Sequence, residues 1–436
     1  MATNIHPMRL DEFLEEFERD EAAERRQLAK ERSYAITDYL DDFEERFESI
    51  TSGDALFGST APSIFVGHAN YPTVPAGLLS PVGNEDEAAS FVTDRSWYDQ
   101  GIDIAEVFRR RSGLLTANRS VEVTTPARGG RFGPNVHDAW NGFLGVQREV
   151  AVADRPVDVE IGLAERPTIE VTPDTVAEPR GPWARAKSAN LAENPSVPLE
   201  VEKTIGDDDW RAEGAMTYLY RRDFDVYDIH RILSAGALGE ADERRLVPTR
   251  WSITAVDDTV GKYLRGRIHN KESIGEVEVW RNDFIGNYYW VILAPGEWEY
   301  ELVELKGAGS VWNPNPEDDI YIAADYEGYE GRTGYVEQTA GAYHAARLGV
   351  LEHLAAREQQ AKALVIRQVT DEYWGPVGVW QVRESVRDAF DGERGRAPTM
   401  QQALEAISDV LPITAETLRR SSTLMAGQQA SLTAFD

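Results

Sequence analysis

The chain has 436 residues, with 75 acidic against 45 basic side chains, a formal charge of −30 and no cysteine. Hydrophobic residues at 42% suffice for a packed core, which excludes wholesale disorder; the lack of cysteine excludes disulfides, thiolate zinc sites and cysteine nucleophiles. Only 7 of the 45 basic residues are lysine, and an acidic excess set against arginine suits a surface facing multi-molar salt, so the charge reads first as adaptation to a halophilic cytoplasm and only second as information about partners.

Residues 9–50 read as acidic helix. Leu10, Phe13, Leu14 and Phe17 make one apolar patch, and Ile36, Tyr39, Leu40, Phe43, Phe47 and Ile50 make another, both at three- and four-residue spacing. From Ser63 the texture changes: SIFVG predicts a short strand ended by Gly67, and the stretch through Tyr71-Pro72, Pro75 and Gly77 reads as loop. Helices are expected near 100–111 and 136–148, and strands at 119–124, 157–163 and 167–171. Residues 173–198 contain Pro173, Pro179, Pro182, Pro195 and Pro198, and read as an extended crossing loop held by the packing of Trp183.

Helices resume at about 225–245. VPTRWSITAV then reads as a strand entry, followed by a helix from Asp257-Asp258 to about His269, the two aspartates suiting a helix N-terminus. Residues 276–306 carry the clearest β signal: VEVWRNDF, NYYWVILA and EWEYELVEL, separated at Ile285-Gly286 and Pro295-Gly296, predict an antiparallel meander. A long helix at 335–360, a strand at 362–369 and helices at 380–391, 399–410 and 414–424 follow. Without internal repeat or alternating βα register the class is α+β, with a central, mainly antiparallel sheet flanked by helices. The expected organisation is an acidic helical segment (1–55), the α+β core (56–424) and a tail (425–436). No apolar run approaches the about 18 residues of a membrane span and no signal segment is visible, so a cytoplasmic location is expected.

Gly261-Lys262 resembles half a phosphate loop, but Val256 stands where the leading glycine is needed and Tyr263 where a hydroxyl would hold magnesium. The seven histidines have no ligand spacing, and no metal site or cofactor is assigned. The basic clusters stand out against the composition. Lys262, Arg265 and His269 share one helix face, with Arg267 beside them. Arg128 and Arg131 flank two glycines, where backbone amides can also face an anion. Arg185 and Lys187 alternate with Trp183, a pairing suited to phosphates and stacked bases. The plainer reading of each cluster is salt-bridged arginine among abundant carboxylates. In the stripe Val336, Ala340, Tyr343, Val350 and Leu354, the spacing puts Arg347 in the apolar seam, where it needs a carboxylate or a bound anion. TRWSITAVDD brings Arg250, Asp257 and Asp258 together, which makes them the candidate catalytic residues of an enzyme, the aspartates as metal or acid/base groups.

The chain ends QASLTAFD, and its Gln429, Leu432 and Phe435 follow the spacing Gln-x-x-aliphatic-x-x-aromatic. This resembles the PIP motif, the peptide by which clamp-binding proteins hold the sliding clamp PCNA. A single 3₁₀ turn puts Leu432 and Phe435 on one side, beside a hydrogen-bonding Gln429. Asp436 stands where a second aromatic follows in that motif, which weakens the expected contact.

Longer blocks carry a second resemblance: SIFVGHANYPTVPAGLLSP (63–81), RFGPN (131–135), RLVPTRWSITAVDDTVGKYL (245–264), GRTGYVEQTAGAYHAARLGVLEHL (331–354) and WGPVGVWQVRESVRDAF (374–390). From about residue 60 to its end the chain is similar to the archaeal Nre family of DNA repair proteins. The resemblance implies DNA damage repair in partnership with the sliding clamp, through Gln429, Leu432 and Phe435, and brings no catalytic motif. Many family members carry an N-terminal cysteine cluster suited to zinc; this chain has no cysteine, so no zinc role carries over. The adopted expectation is a clamp-recruited repair factor that holds DNA through Lys262, Arg265, Arg267, Arg131 and Arg185. The alternatives are a metal-dependent or acid/base enzyme acting on DNA or a nucleotide-derived modification, with Arg250 or Arg347 holding an anion, and a non-catalytic clamp adaptor.

Overall fold

A computed structural model of the protein describes residues 51–52, 55–82, 84–124, 142–165, 181–408 and 410–426. The helical segment expected at 9–50, the start of the 136–148 helix, the strand at 167–171, Arg128, Arg131 and the terminal Gln429, Leu432 and Phe435 lie outside the described residues.

In chain order the elements are β1 (Thr51–Ser52), β2 (Ala55–Thr60), β3 (Ile64–Val66), β4 (Thr73–Leu79), α1 (Glu85–Ser90), α2 (Arg95–Asp99), α3 (Ile104–Ser112), β5 (Thr116–Glu122), α4 (Gly142–Val152), β6 (Val157–Leu163) and β7 (Trp183–Leu191). Then come α5 (Leu199–Gly206), α6 (Ala212–Tyr220), α7 (Val226–Ser234), α8 (Thr249–Ile268), β8 (Glu272–Ser273), β9 (Val277–Phe284), β10 (Asn287–Ala294), β11 (Glu299–Lys306) and β12 (Tyr321–Glu327). The last are α9 (Ala340–Arg357), β13 (Gln359–Gln360), β14 (Lys362–Val369), α10 (Trp380–Ala389), β15 (Gly395–Ala397), α11 (Met400–Ser408) and α12 (Ala415–Ser421). Among the described residues the strands form a seven-stranded sheet in the order β1-β2-β6-β7-β5-β4-β3, a six-stranded sheet in the order β12-β11-β14-β10-β9-β15, and the ribbon β13-β8. In the two large sheets only β5 with β7 and β11 with β14 run parallel. The α+β class with mainly antiparallel strands is borne out.

The second sheet is buried on both faces. Ala363 and Val365 of β14 face the core under α8, α9 and α10, while Leu364 and Ile366 face the layer of Met400, Leu404 and Leu418 from α11 and α12. Such a strand reads as a continuous apolar run, here ALVI, rather than an alternation. The first sheet packs one face on α4, with Leu56, Val159 and Ile161 against Phe143 and Val150. Each such side chain stabilises the fold by about 1.5–3 kcal/mol relative to exposure.

Four local expectations change. β14 inserts between β10 and β11, so the run 276–306 supplies three strands of one sheet without the meander order: the bond-forming edge of β10 goes to a strand about 70 residues later, and sequence proximity lost to burial. The stretch with Pro75 and Gly77 is strand β4; Pro75 lies past the last pair with β3, and a Cβ on Gly77 would stand 2.9 Å from the Ala117 carbonyl, so the glycine admits close strand approach. The crossing loop contains β7, whose inward residues Ala184, Ala186 and Ala189 are too small to announce a strand, and Trp183 is 47% exposed rather than packed. Finally, α8 begins at Thr249, immediately after Pro248, despite the β-branched and aromatic residues of its first two turns. Asp257 and Asp258 therefore lie mid-helix, and Arg250 takes the first turn.

A candidate nucleic-acid cleft

A cavity of about 1200 Å³ opens where β3, β4, β5 and β7 of the first sheet meet the starts of α8, α9 and α10 and the ends of β11 and β14. The junction is tied at one point by Val66 N, which donates to Thr249 Oγ1 at 3.0 Å, and behind it by Ser234 Oγ, which donates to the Val247 carbonyl at 2.7 Å. None of the three helices has a side-chain cap: Pro248, Thr339 and Val379 stand at the cap positions and make no such hydrogen bond. First-turn residues of all three helices, at their positive ends, line the cavity. Just before α9, the Asp325 carboxylate accepts from the amides of Glu337, Gln338 and Thr339 at 3.1, 2.9 and 2.8 Å and fixes the wall that carries Tyr335. Burial works against its charge, but these amides outweigh it and hold its pKa below the ordinary value.

The lining inverts the composition of the chain. Among the described residues, Arg110, Arg111, Arg231, Arg250, Lys306, Arg367 and Arg383 line the cavity, seven cations against the single carboxylate of Glu304. Some are held from behind. Arg383 Nη2 reaches both Asp257 oxygens at 2.8 and 2.6 Å; Arg231 donates to the Ala151 and Ala153 carbonyls and to Asp228; Arg367 donates to Glu304 at 2.6 Å and Asn287 at 2.9 Å. Arg250 is exposed, and its guanidinium has no hydrogen-bond or ion-pair partner among the described residues. Aromatic rings share the mouth: Trp183 at 47% and Tyr335 at 64% exposure line it, and Trp251, next to Arg250, pairs with Tyr71 at a centroid distance of 5.3 Å. From Trp183 the exposed side of β7 continues through Arg185 and Lys187, with Arg185 in register with the cavity-lining Asn118. His230 also lines the cavity. Burial, helped by Arg383 and Arg231, pushes its pKa down to about 3, so the imidazole is neutral.

The other sequence-predicted residues are distributed differently. Asp257 is 1% exposed behind Arg383, while Asp258 pairs with Lys262 at 2.6 Å and Arg347 at 2.7 Å, with His344 Nδ1 3.5 Å away; the two carboxylates do not converge. Burial opposes ionisation of Asp258, but His344, Lys262 and Arg347 outweigh it and hold its pKa well below the usual carboxylate range. Arg347 is buried between Asp258 and Glu327, the latter at 2.8 Å, and a Cβ on Gly261 would lie 2.9 Å from its Nη2. Gly261, which resembled part of a phosphate loop, makes room for that guanidinium. Arg265 packs against Gly331, His269 stacks on Tyr329 at 4.2 Å, and Arg267 lines a separate surface pocket with Tyr220, Tyr263 and Arg387. Of the named residues, the cleft brings together Arg250 and, along its rim, Arg185 and Lys187. Sequence reading missed Lys306, Arg367, Gln381 and Arg383. The pattern break that marks Arg347 also marks Arg367, which follows Ala363 and Val365 on one face of β14.

Family models decide the kinship: the archaeal Nre N-terminal model matches residues 28–313 and the archaeal Nre C-terminal model residues 327–435. The chain belongs to the archaeal Nre family. Its relatives include the DNA repair protein NreA of Haloferax volcanii, 61% identical over 98% of this chain and all of that one. The DNA repair proteins NreA and NreB of Archaeoglobus fulgidus are 36% and 34% identical, each over 81% of this chain and 84% of theirs. No solved structure matches. The two family models do not divide the fold: β11 lies in the first and β14 in the second, yet they pair along their length. No described helix is long and apolar enough to cross a membrane.

Proposed function

We propose that this chain is a DNA repair factor that holds DNA in the cleft and is tethered to the sliding clamp by its C-terminal peptide. The relatives are named DNA repair proteins, and one observation carries the DNA contact: in a chain of charge −30 the cavity lining holds seven cations and one carboxylate, and the exposed Arg250 guanidinium among them has no carboxylate partner among the described residues. In concentrated salt, long-range repulsion between an acidic protein and DNA is screened within a few ångströms, so direct contacts decide binding. Arg250, Arg185 and Lys187 then meet phosphates, and Trp183, Trp251 and Tyr335 offer stacking faces for unpaired bases, each worth about 1–3 kcal/mol. Lys262 and Arg347, which already hold carboxylates, take no part in this reading.

The family match runs to residue 435 and so includes Gln429, Leu432 and Phe435. A peptide of modest affinity suffices when the cleft makes a second contact on clamp-encircled DNA, because the tether raises effective concentration. In this proposal residues 56–424 are the working body; Met425, at 3% exposure, still packs with it, so the free tether begins after that residue. The test is anisotropy of labelled single-stranded and duplex oligonucleotides in multi-molar KCl, with and without the clamp, for the full chain and for a chain stopped at Gly427. Expected are single-strand binding by both chains and clamp binding by the full chain alone. Equal clamp binding by both, or no oligonucleotide binding by either, contradicts the proposal.

A further inference from the structure

The geometry points to a phosphoryl-binding subsite on the floor of the cleft, formed by Lys306, Arg367, Gln381 and the first turn of α10. This deepens the proposed nucleic-acid role and rests on it. Tyr289, Arg367 and Glu304 lie in register across β10, β14 and β11, on the face toward α10. Glu304 is the only carboxylate lining the cavity among the described residues, and it serves two cations, Arg367 at 2.6 Å and Lys306 at 3.2 Å, which leaves the floor net positive. Above this row stands Gln381, fully buried and lining the cavity. Its Oε1 accepts from the Tyr289 hydroxyl at 2.7 Å, whereas its Nε2 has no hydrogen-bond partner among the described residues. A buried amide donor without an acceptor is costly unless a ligand supplies one.

Gln381 belongs to the first turn of α10, a ten-residue helix whose cap position makes no side-chain hydrogen bond. The first turn of α10, the Gln381 amide and two cations that share the single carboxylate of Glu304 therefore line one floor, on which donors and positive charge are in excess. A group with several acceptor oxygens and negative charge satisfies them; a base or sugar does not. With the aromatic rings at the mouth, the ligand class is a nucleotide whose phosphoryl group reaches the floor. That nucleotide is either free or the phosphorylated end of a DNA strand.

The experiment titrates the full chain, in high KCl, with dAMP, deoxyadenosine and a single-stranded oligonucleotide with and without a 5′-phosphate, using calorimetry and ³¹P line broadening. dAMP or the 5′-phosphorylated strand is expected to bind at least about tenfold more tightly than its counterpart lacking phosphate. Lys306→Met should remove that preference. Gln381→Glu, which keeps an acceptor for Tyr289 but places a negative charge on the floor, should do the same and guards against a loss that is only structural. A preference shown by the strand alone assigns the site to DNA ends, and one shown by dAMP assigns it to free nucleotides; both support the subsite. Equal binding with and without phosphate, or a preference unchanged in both variants, overturns it. Strand binding that ignores phosphate leaves the DNA reading standing and removes only the subsite. Phosphate-dependent dAMP binding with no strand binding removes the DNA reading and keeps the subsite.

Discussion

The seam between α8 and α9 and the cleft at their N-terminal ends use the same side chains for opposite purposes. In the seam, Arg347 lies between Glu327 and Asp258, with Gly261 trimmed to admit it. In the cleft, the guanidinium of Arg250, two turns before Asp257 on the same helix, has no partner among the described residues, and Arg367 and Lys306 share one carboxylate. In a chain with so many acids, an arginine that lacks one is the informative one. The difference teaches that position along a helix is a weaker guide to function than whether a carboxylate has been supplied.

The largest effect that would sharpen this contrast is on stability. Arg347→Ala should cost about 3–5 kcal/mol, because Glu327 would stay buried without its counter-charge; urea unfolding at fixed salt reads it. A loss below about 1 kcal/mol would break the contrast from the structural side. Next, the double change Trp183→Ala with Arg250→Ala should leave unfolding within about 0.5 kcal/mol of the parent yet weaken single-strand binding by at least about tenfold.

The acid limb gives a third effect, which grows as the pH falls. His230 has its pKa lowered to about 3, chiefly by burial, so between that value and about 6.5 the unfolded chain takes up a proton that the folded chain refuses. Stability should therefore fall as pH drops below about 6.5, and His230→Gln should flatten that limb. His353, lowered to about 4 mainly by burial, adds to the same slope. Asp258, held low by its three partners, contributes fully above its ordinary value of about 3.9 and is lost only below it, so it does not shape the neutral range. A profile flat from pH 7 to 4 would contradict the burial of both imidazoles. Smallest of all, Arg185→Ala on the open β7 face should weaken strand binding only about twofold, since an exposed contact in strong salt contributes little.

Much of the fold was legible where burial leaves a pattern. The strands at 157–163 and 362–369 are found at those bounds, and Arg347 is visible as a break in an apolar stripe. What was not legible has physical causes. β7 turns alanines inward, α8 opens on residues that favour strands, and β14 enters the second sheet between two strands that precede it by more than 50 residues. The site was half legible. Arg250, Trp183, Arg185 and Lys187 stand out as cation-aromatic text, but Lys306, Arg367, Gln381 and Arg383 come from β11, β14 and α10 and meet only once the sheet is assembled.

The most direct measurement is photocrosslinking of a bromodeoxyuridine-substituted single-stranded oligonucleotide to the full chain in high KCl, followed by mass spectrometry of the adducted peptides. If the cleft holds DNA, adducts will map to peptides containing Trp183, Trp251 or Tyr335. Adducts confined to the surface pocket of Tyr220, Tyr263 and Arg267, or spread without preference for the cleft, would contradict it.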